Sequence, residues 1–130
     1  MREPRPGSRW SAGRLARRQA YSSWSCSAAW RVRRARWLAE WQRRYGAEPA
    51  CVVCGAQWRL REGDLHHVSY LRLGMEAFSD LWPACRDCHE ALHLVWDASP
   101  AWRALGREAA SAGIAGTLRQ RRATEADNRG

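Results

Sequence analysis

The chain has 130 residues, which sets the scale at one domain of ordinary size. Its 22 basic residues are all arginine and outnumber 13 acids, a formal net charge of +9 that points to a polyanionic partner, since the planar guanidinium suits phosphate. No apolar run approaches the ~20 residues a helix needs to span a bilayer, so a membrane partner is not expected.

Residues 1–20, rich in Arg, Pro, Gly and Ser, predict a disordered basic arm. The arm lacks the apolar segment of a secretory signal, which makes the cytoplasm the expected compartment, with an organellar transit peptide as the alternative. Arginine is concentrated at the flanks: positions 1–46 carry 12 against 2 acids, positions 47–96 carry 4 against 7, and positions 97–130 carry 6 against 4. Flanking grip on a phosphate backbone explains this, and so does a lysine-poor genome writing arginine on every solvated face.

The expected domain covers residues 21–97. From Ala28 to Tyr45, Trp30, Trp37, Leu38, Trp41 and Tyr45 recur at helical spacing among arginines, which predicts an amphipathic helix stopped by Gly46 and Pro49. Its tryptophans read as core. Arg31 and Arg34 are candidates for nucleic-acid contact, as are Arg72 and Arg86 further on, against the alternative of solvated surface. Next come a knuckle at "CVVC", a short strand, a turn at Glu62-Gly63-Asp64 leading into "HHVSY", a loop, and a second strand around Leu81–Ala84. "RDCHEALHLVW" has no internal breaker and carries an acid in its first turn, so a helix is expected over residues 86–96. Residues 98–130 predict a helical tail with Ser99 as N-cap and Pro100 at the first helical position, diluted by Gly106, Gly113 and Gly116 and frayed at its end.

The chemistry is concentrated between the flanks. Four of the five cysteines form two identical pairs, Cys51/Cys54 and Cys85/Cys88. Two such knuckles can close a tetrahedral site for structural Zn2+, whereas a redox motif needs only one and a disulfide is out of place in a reducing compartment. Cys26 is left over and reads as incidental. All four histidines lie between the knuckles or just past the second: His66 and His67 adjacent, His89 and His93 four apart. On a helix the latter pair shares one face at about 5–6 Å between Cβ atoms, close enough to share an ion if His66 or His67 folds back to supply a third ligand. Imidazole ligands with open positions suit a catalytic divalent metal, Mg2+, Mn2+, Ni2+ or Zn2+.

Taken together, "CVVC", "DLHHVSYLRLG" and "SDLWPACRDCHEALH" resemble the HNH endonuclease family, the ββα-metal nucleases, over roughly a third of the chain. The resemblance implies a small α+β fold, a zinc-stabilised ββα-metal core of treble-clef type with flanking α-helices. It implies that His67 is the general base, that His66, His89 and His93 hold the catalytic metal, and that Cys51, Cys54, Cys85 and Cys88 hold zinc. Asp80 stands where the family commonly has an asparagine that steadies the loop carrying the base; it can accept hydrogen bonds from loop amides but cannot donate. Asp64, two residues before His66, is either an orienter of a ligand or an ordinary turn acid. The activity implied is hydrolysis of phosphodiesters in DNA, with RNA as the alternative polyanion, leaving 5′-phosphate and 3′-hydroxyl ends. The competing expectation is a nucleic-acid-binding module of the same fold without catalysis. Protein partners are not indicated.

Overall fold

A computed structural model describes residue 16 and residues 18–129; of the disordered arm expected at 1–20, residues 1–15 and 17 lie outside the described residues, and residues 18–20 are helical instead. The architecture is small α+β. Helix α1 covers residues 18–25 in its described part. It is followed by α2 (Ala28–Tyr45), β1 (Gly63–His67), a 3-10 turn (Phe78–Asp80), β2 (Leu81–Cys85), α3 (Arg86–Ala98), α4 (Pro100–Ala104) and α5 (Arg107–Arg129). The strands pair antiparallel, with Gly63 opposite Cys85 and His67 opposite Leu81. Among the described residues no helix is long and apolar enough to cross a membrane.

The chain divides into two compact units, Met1–Arg33 and Arg34–Gly130. In the first, Ser27 begins α2: its hydroxyl accepts from the Trp30 amide at 3.1 Å and donates to the Trp24 carbonyl at 2.6 Å, satisfying an otherwise orphan amide. The Trp24 and Trp30 rings lie 5.9 Å apart.

In the second unit the tryptophan stripe is core. Trp37 is wholly buried, stacked on Phe78 at 5.7 Å and edge-on to Trp58 at 5.3 Å. The Trp58 indole donates from Nε1 to the Asp64 carbonyl at 2.7 Å, and a Cβ on Gly63 would sit 2.1 Å from that indole. Gly63 is thus required by the close approach of the ring. The turn expected at Glu62-Gly63-Asp64 comes slightly earlier, with the Glu62 and Gly63 amides donating to the Arg59 carbonyl at 3.2 and 2.8 Å; Gly63 and Asp64 already pair with Cys85 and Ala84, so both histidines stand inside β1.

A second apolar cluster joins Cys51 and Val53, Ala84 of β2, Cys88 and Leu92 of α3, and Ala110, Ile114 and Ala115 of α5. Small residues let α5 lie close on α3. Gly106, with φ of 84°, separates α4 from α5, while Ser99 caps α4 by accepting from the Trp102 amide at 3.2 Å. Gly113 does not weaken α5 as composition suggests, because a Cβ there would meet the Trp102 ring at 2.3 Å. The helical tail expected over residues 98–130 is α4 and the 23-residue α5, which packs on the cluster as far as Leu118 and is exposed from residue 119 to 129.

Candidate functional site

The first cysteine knuckle is a tight hairpin. The Gly55 amide donates to the Cys51 carbonyl at 3.0 Å and the Cys51 amide to Ala56 at 2.8 Å, with Gly55 at φ of 76° making the reversal. Val52 N–H donates to the Pro83 carbonyl at 2.8 Å, which pins the knuckle beside β2. That strand ends at Cys85, and the first turn of α3 carries Cys88. Four sulfurs meet as a result, with ligand atoms within 4.8 Å of one another and Cys54 Sγ 3.9 Å from Cys85 Sγ. A tetrahedral site with Zn–S of ~2.3 Å puts its sulfurs about 3.8 Å apart, so the cluster has the dimensions of a thiolate-bound zinc. Burial pushes Cys51 up, but amide hydrogen bonds around Cys54 and Cys85 outweigh it and leave the thiol at about 7. Burial raises Cys85 and Cys88. Four thiols so crowded suit a cation that takes the place of their protons.

The second cluster is built from β1 and α3. Adjacent strand residues face opposite sides of a sheet, so His66 and His67 part company. The His66 ring centroid stands 5.5 Å from that of His89 and 5.7 Å from that of His93. His89 and His93, one turn apart, bring their Nε2 atoms to 3.0 Å. Cis nitrogens at ~2.1 Å from one ion lie roughly 3.0–3.4 Å apart, so the pair has the spacing of two ligands. Ligand atoms of all three histidines fall within 4.8 Å of one another, which makes the trio able to hold a metal ion. Asp64 Oδ2 lies 3.1 Å from His89 Nδ1, and this hydrogen bond holds its carboxyl below the usual carboxylate range. The carboxylate accepts the Nδ1 proton and turns Nε2 inward. Asp64 is therefore placed against a ligand candidate and not in a solvated turn. His66 Nε2 lies 2.9 Å from Ser111 Oγ, while its buried Nδ1 has no hydrogen-bond partner among the described residues. A buried polar atom so left is the kind a metal satisfies.

Burial holds His66 well below the usual histidine range, and Arg107 and the other imidazoles add to it. The same causes bring His93 to about 4. His66 and His93 are therefore neutral at pH 7, as ligands must be.

His67 points the other way. Its ring stacks on Tyr70 at 5.2 Å, its Nε2 lies 3.4 Å from Glu76 Oε2, and both side chains are buried, at 1% and 0% exposure. Glu76 Oε1 accepts from the Gly74 amide. Burial brings His67 to about 4, with the Glu76 charge pulling upward.

Asp80 is close by. Its backbone carbonyl accepts from the Val68 amide at 2.8 Å, just past His67. Its carboxylate accepts from the Ala77 amide at 2.9 Å and from Arg72 Nε at 2.7 Å. Arg72 is thus engaged by Asp80. Arg34 is engaged too, donating to the carbonyls of Leu60 and Gly63 and lying over the Trp58 ring. Arg31 is exposed in the first unit; Arg86 is exposed on α3, where its charge helps lower Asp64.

Three residues in these clusters had no sequence signal: Glu76, Arg107 and Ser111. They reach the histidines only through tertiary packing. No family model, curated protein or solved structure matches the chain.

Proposed function

We propose that the chain is a metal-dependent endonuclease of the HNH type, hydrolysing phosphodiester bonds in DNA. The observation that carries this reading is the convergence of His66, His89 and His93 ligand atoms within 4.8 Å, with a fourth imidazole, His67, on the next strand residue. That fourth ring is set against a carboxylate, Glu76, as a base with an orienting partner would be. Bound among the three histidines, a divalent ion (Mg2+, Mn2+, Ni2+ or Zn2+) supplies positive charge for a scissile phosphate.

In this reading His67 is the general base. Neutral at pH 7, it takes a proton from the attacking water on Nδ1, because Nε2 faces Glu76. The Glu76 carboxylate then stabilises the imidazolium that forms. Asp80 steadies the intervening loop through the Ala77 and Val68 amides. Cys51, Cys54, Cys85 and Cys88 hold a structural zinc in a treble-clef-like arrangement, the cytoplasm being the compartment that keeps such thiols reduced. Exposed arginines such as Arg31 and Arg86 grip the phosphate backbone without regard to sequence.

One observation favours a second reading. His67 is 1% exposed, and a base must reach water. A nucleic-acid-binding module of the same fold needs no such access. Incubating the protein and divalent metal with supercoiled plasmid, single-stranded DNA and RNA separates the two readings. Cleavage supports the nuclease and ranks its substrates; intact binding with no cleavage under any metal supports the module.

A further inference from the structure

Helix α5 sends two side chains into the histidine site from one face, since Arg107 and Ser111 are four residues apart. Arg107 donates from Nε to the His67 backbone carbonyl at 2.7 Å and from Nη2 to the Tyr70 hydroxyl at 2.9 Å, with its guanidinium over the Tyr70 and Trp96 rings at 4.1 and 5.4 Å. One turn later Ser111, 4% exposed, places Oγ 2.9 Å from His66 Nε2. Both adjacent histidines of β1 are therefore held by α5, His67 through its backbone and His66 through its ring.

We propose that Ser111 is a positioning residue of the histidine site: its hydroxyl accepts the Nε2 proton of His66 and fixes the tautomer whose Nδ1 lone pair is left for a divalent cation. This rests on reading the three histidines as a metal site. A hydroxyl can accept or donate, so the tautomer is decided by its other consequence. Were Nε2 the acceptor, Nδ1 would carry a proton, and that N–H would be buried with no acceptor among the described residues. Orphan buried donors are rarer and costlier than orphan lone pairs. Nε2 is taken up by Ser111, so Nδ1 is the ring nitrogen left to meet an ion. A protonated Nδ1 could not ligate; an unprotonated one can.

The test uses the full chain loaded with one equivalent of Zn2+ for the cysteines. Long-range 15N–1H NMR reads the His66 tautomer in the parent and in Ser111→Ala, and calorimetry reads Ni2+ binding to both. The proposal expects an Nε2–H tautomer in the parent, loss of that preference in Ser111→Ala, and Ni2+ affinity lowered about 10- to 100-fold. Cysteine-bound zinc and helix content should stay unchanged. An Nδ1–H tautomer in the parent overturns the proposal without reference to any variant. Equal Ni2+ affinity and an unchanged tautomer in Ser111→Ala also overturn it. If neither protein binds Ni2+, the metal reading of the trio falls, and the tautomer comparison alone decides whether Ser111 orients His66.

Discussion

Asp64 Oδ2 and His89 Nδ1, 3.1 Å apart, join the second residue of β1 to the first turn of α3. The bond crosses between the two elements that supply the histidine trio and fixes which nitrogen of His89 faces His93. Replacing Asp64 with alanine should weaken divalent-metal binding at the histidines about 10- to 100-fold while leaving cysteine-bound zinc in place. Calorimetry with Ni2+ on zinc-loaded protein checks this; unchanged affinity would reduce Asp64 to an ordinary surface acid.

The cysteine cluster shares its core with Ala84, Leu92 and Ile114, since Cys51, Val53 and Cys88 pack directly among them. Chelation strong enough to strip the cysteine metal should therefore unfold the core and not merely stop activity. The melting temperature after verified zinc removal is the measurement, and an unchanged value contradicts the structural role.

Acid should destabilise the protein when the histidine trio carries no metal. His67 and His93 are lowered to about 4 in the folded state, chiefly by burial, whereas an unfolded histidine titrates near ~6.5. Between those values the unfolded chain binds more protons, so stability falls as pH drops from about 6.5 towards 4 and is level above that window. Urea midpoints of the parent should decline across this range more steeply than those of His93→Gln. Parallel declines would show that His93 is not the group responsible.

Trp37 of α2 is wholly buried in the second unit, against Phe78 and Trp58. Trp37→Ala should cost about 3–5 kcal/mol, a large share of the stability of a small domain. The exposed Tyr45→Ala should cost far less in the same urea experiment. Similar losses for both would mean that the aromatic stripe is not the core of this unit.

What could be read from the sequence was what depends on short spacing. The knuckles Cys51/Cys54 and Cys85/Cys88, the helical pair His89/His93 and the Ser99-Pro100 helix start are local patterns, and local geometry fulfils them. Glycine misled in two places for one reason: Gly63 and Gly113 are small because Trp58 and Trp102 lie against them, not because the chain turns or frays there. The arginines were legible as charge but not as contacts. Arg34 is spent on carbonyls more than 25 positions away, and Arg72 on Asp80. Ser111 meets His66 across 45 positions, a distance over which no periodicity carries information.

The central claim is that His67 takes a proton during phosphodiester hydrolysis. Supercoiled plasmid incubated with the parent and with His67→Ala in Mg2+, Mn2+ or Ni2+ tests it most directly. The account predicts cleavage by the parent and a rate lower by about 10²- to 10⁴-fold in the variant, with DNA binding retained. Equal cleavage by both proteins would contradict it.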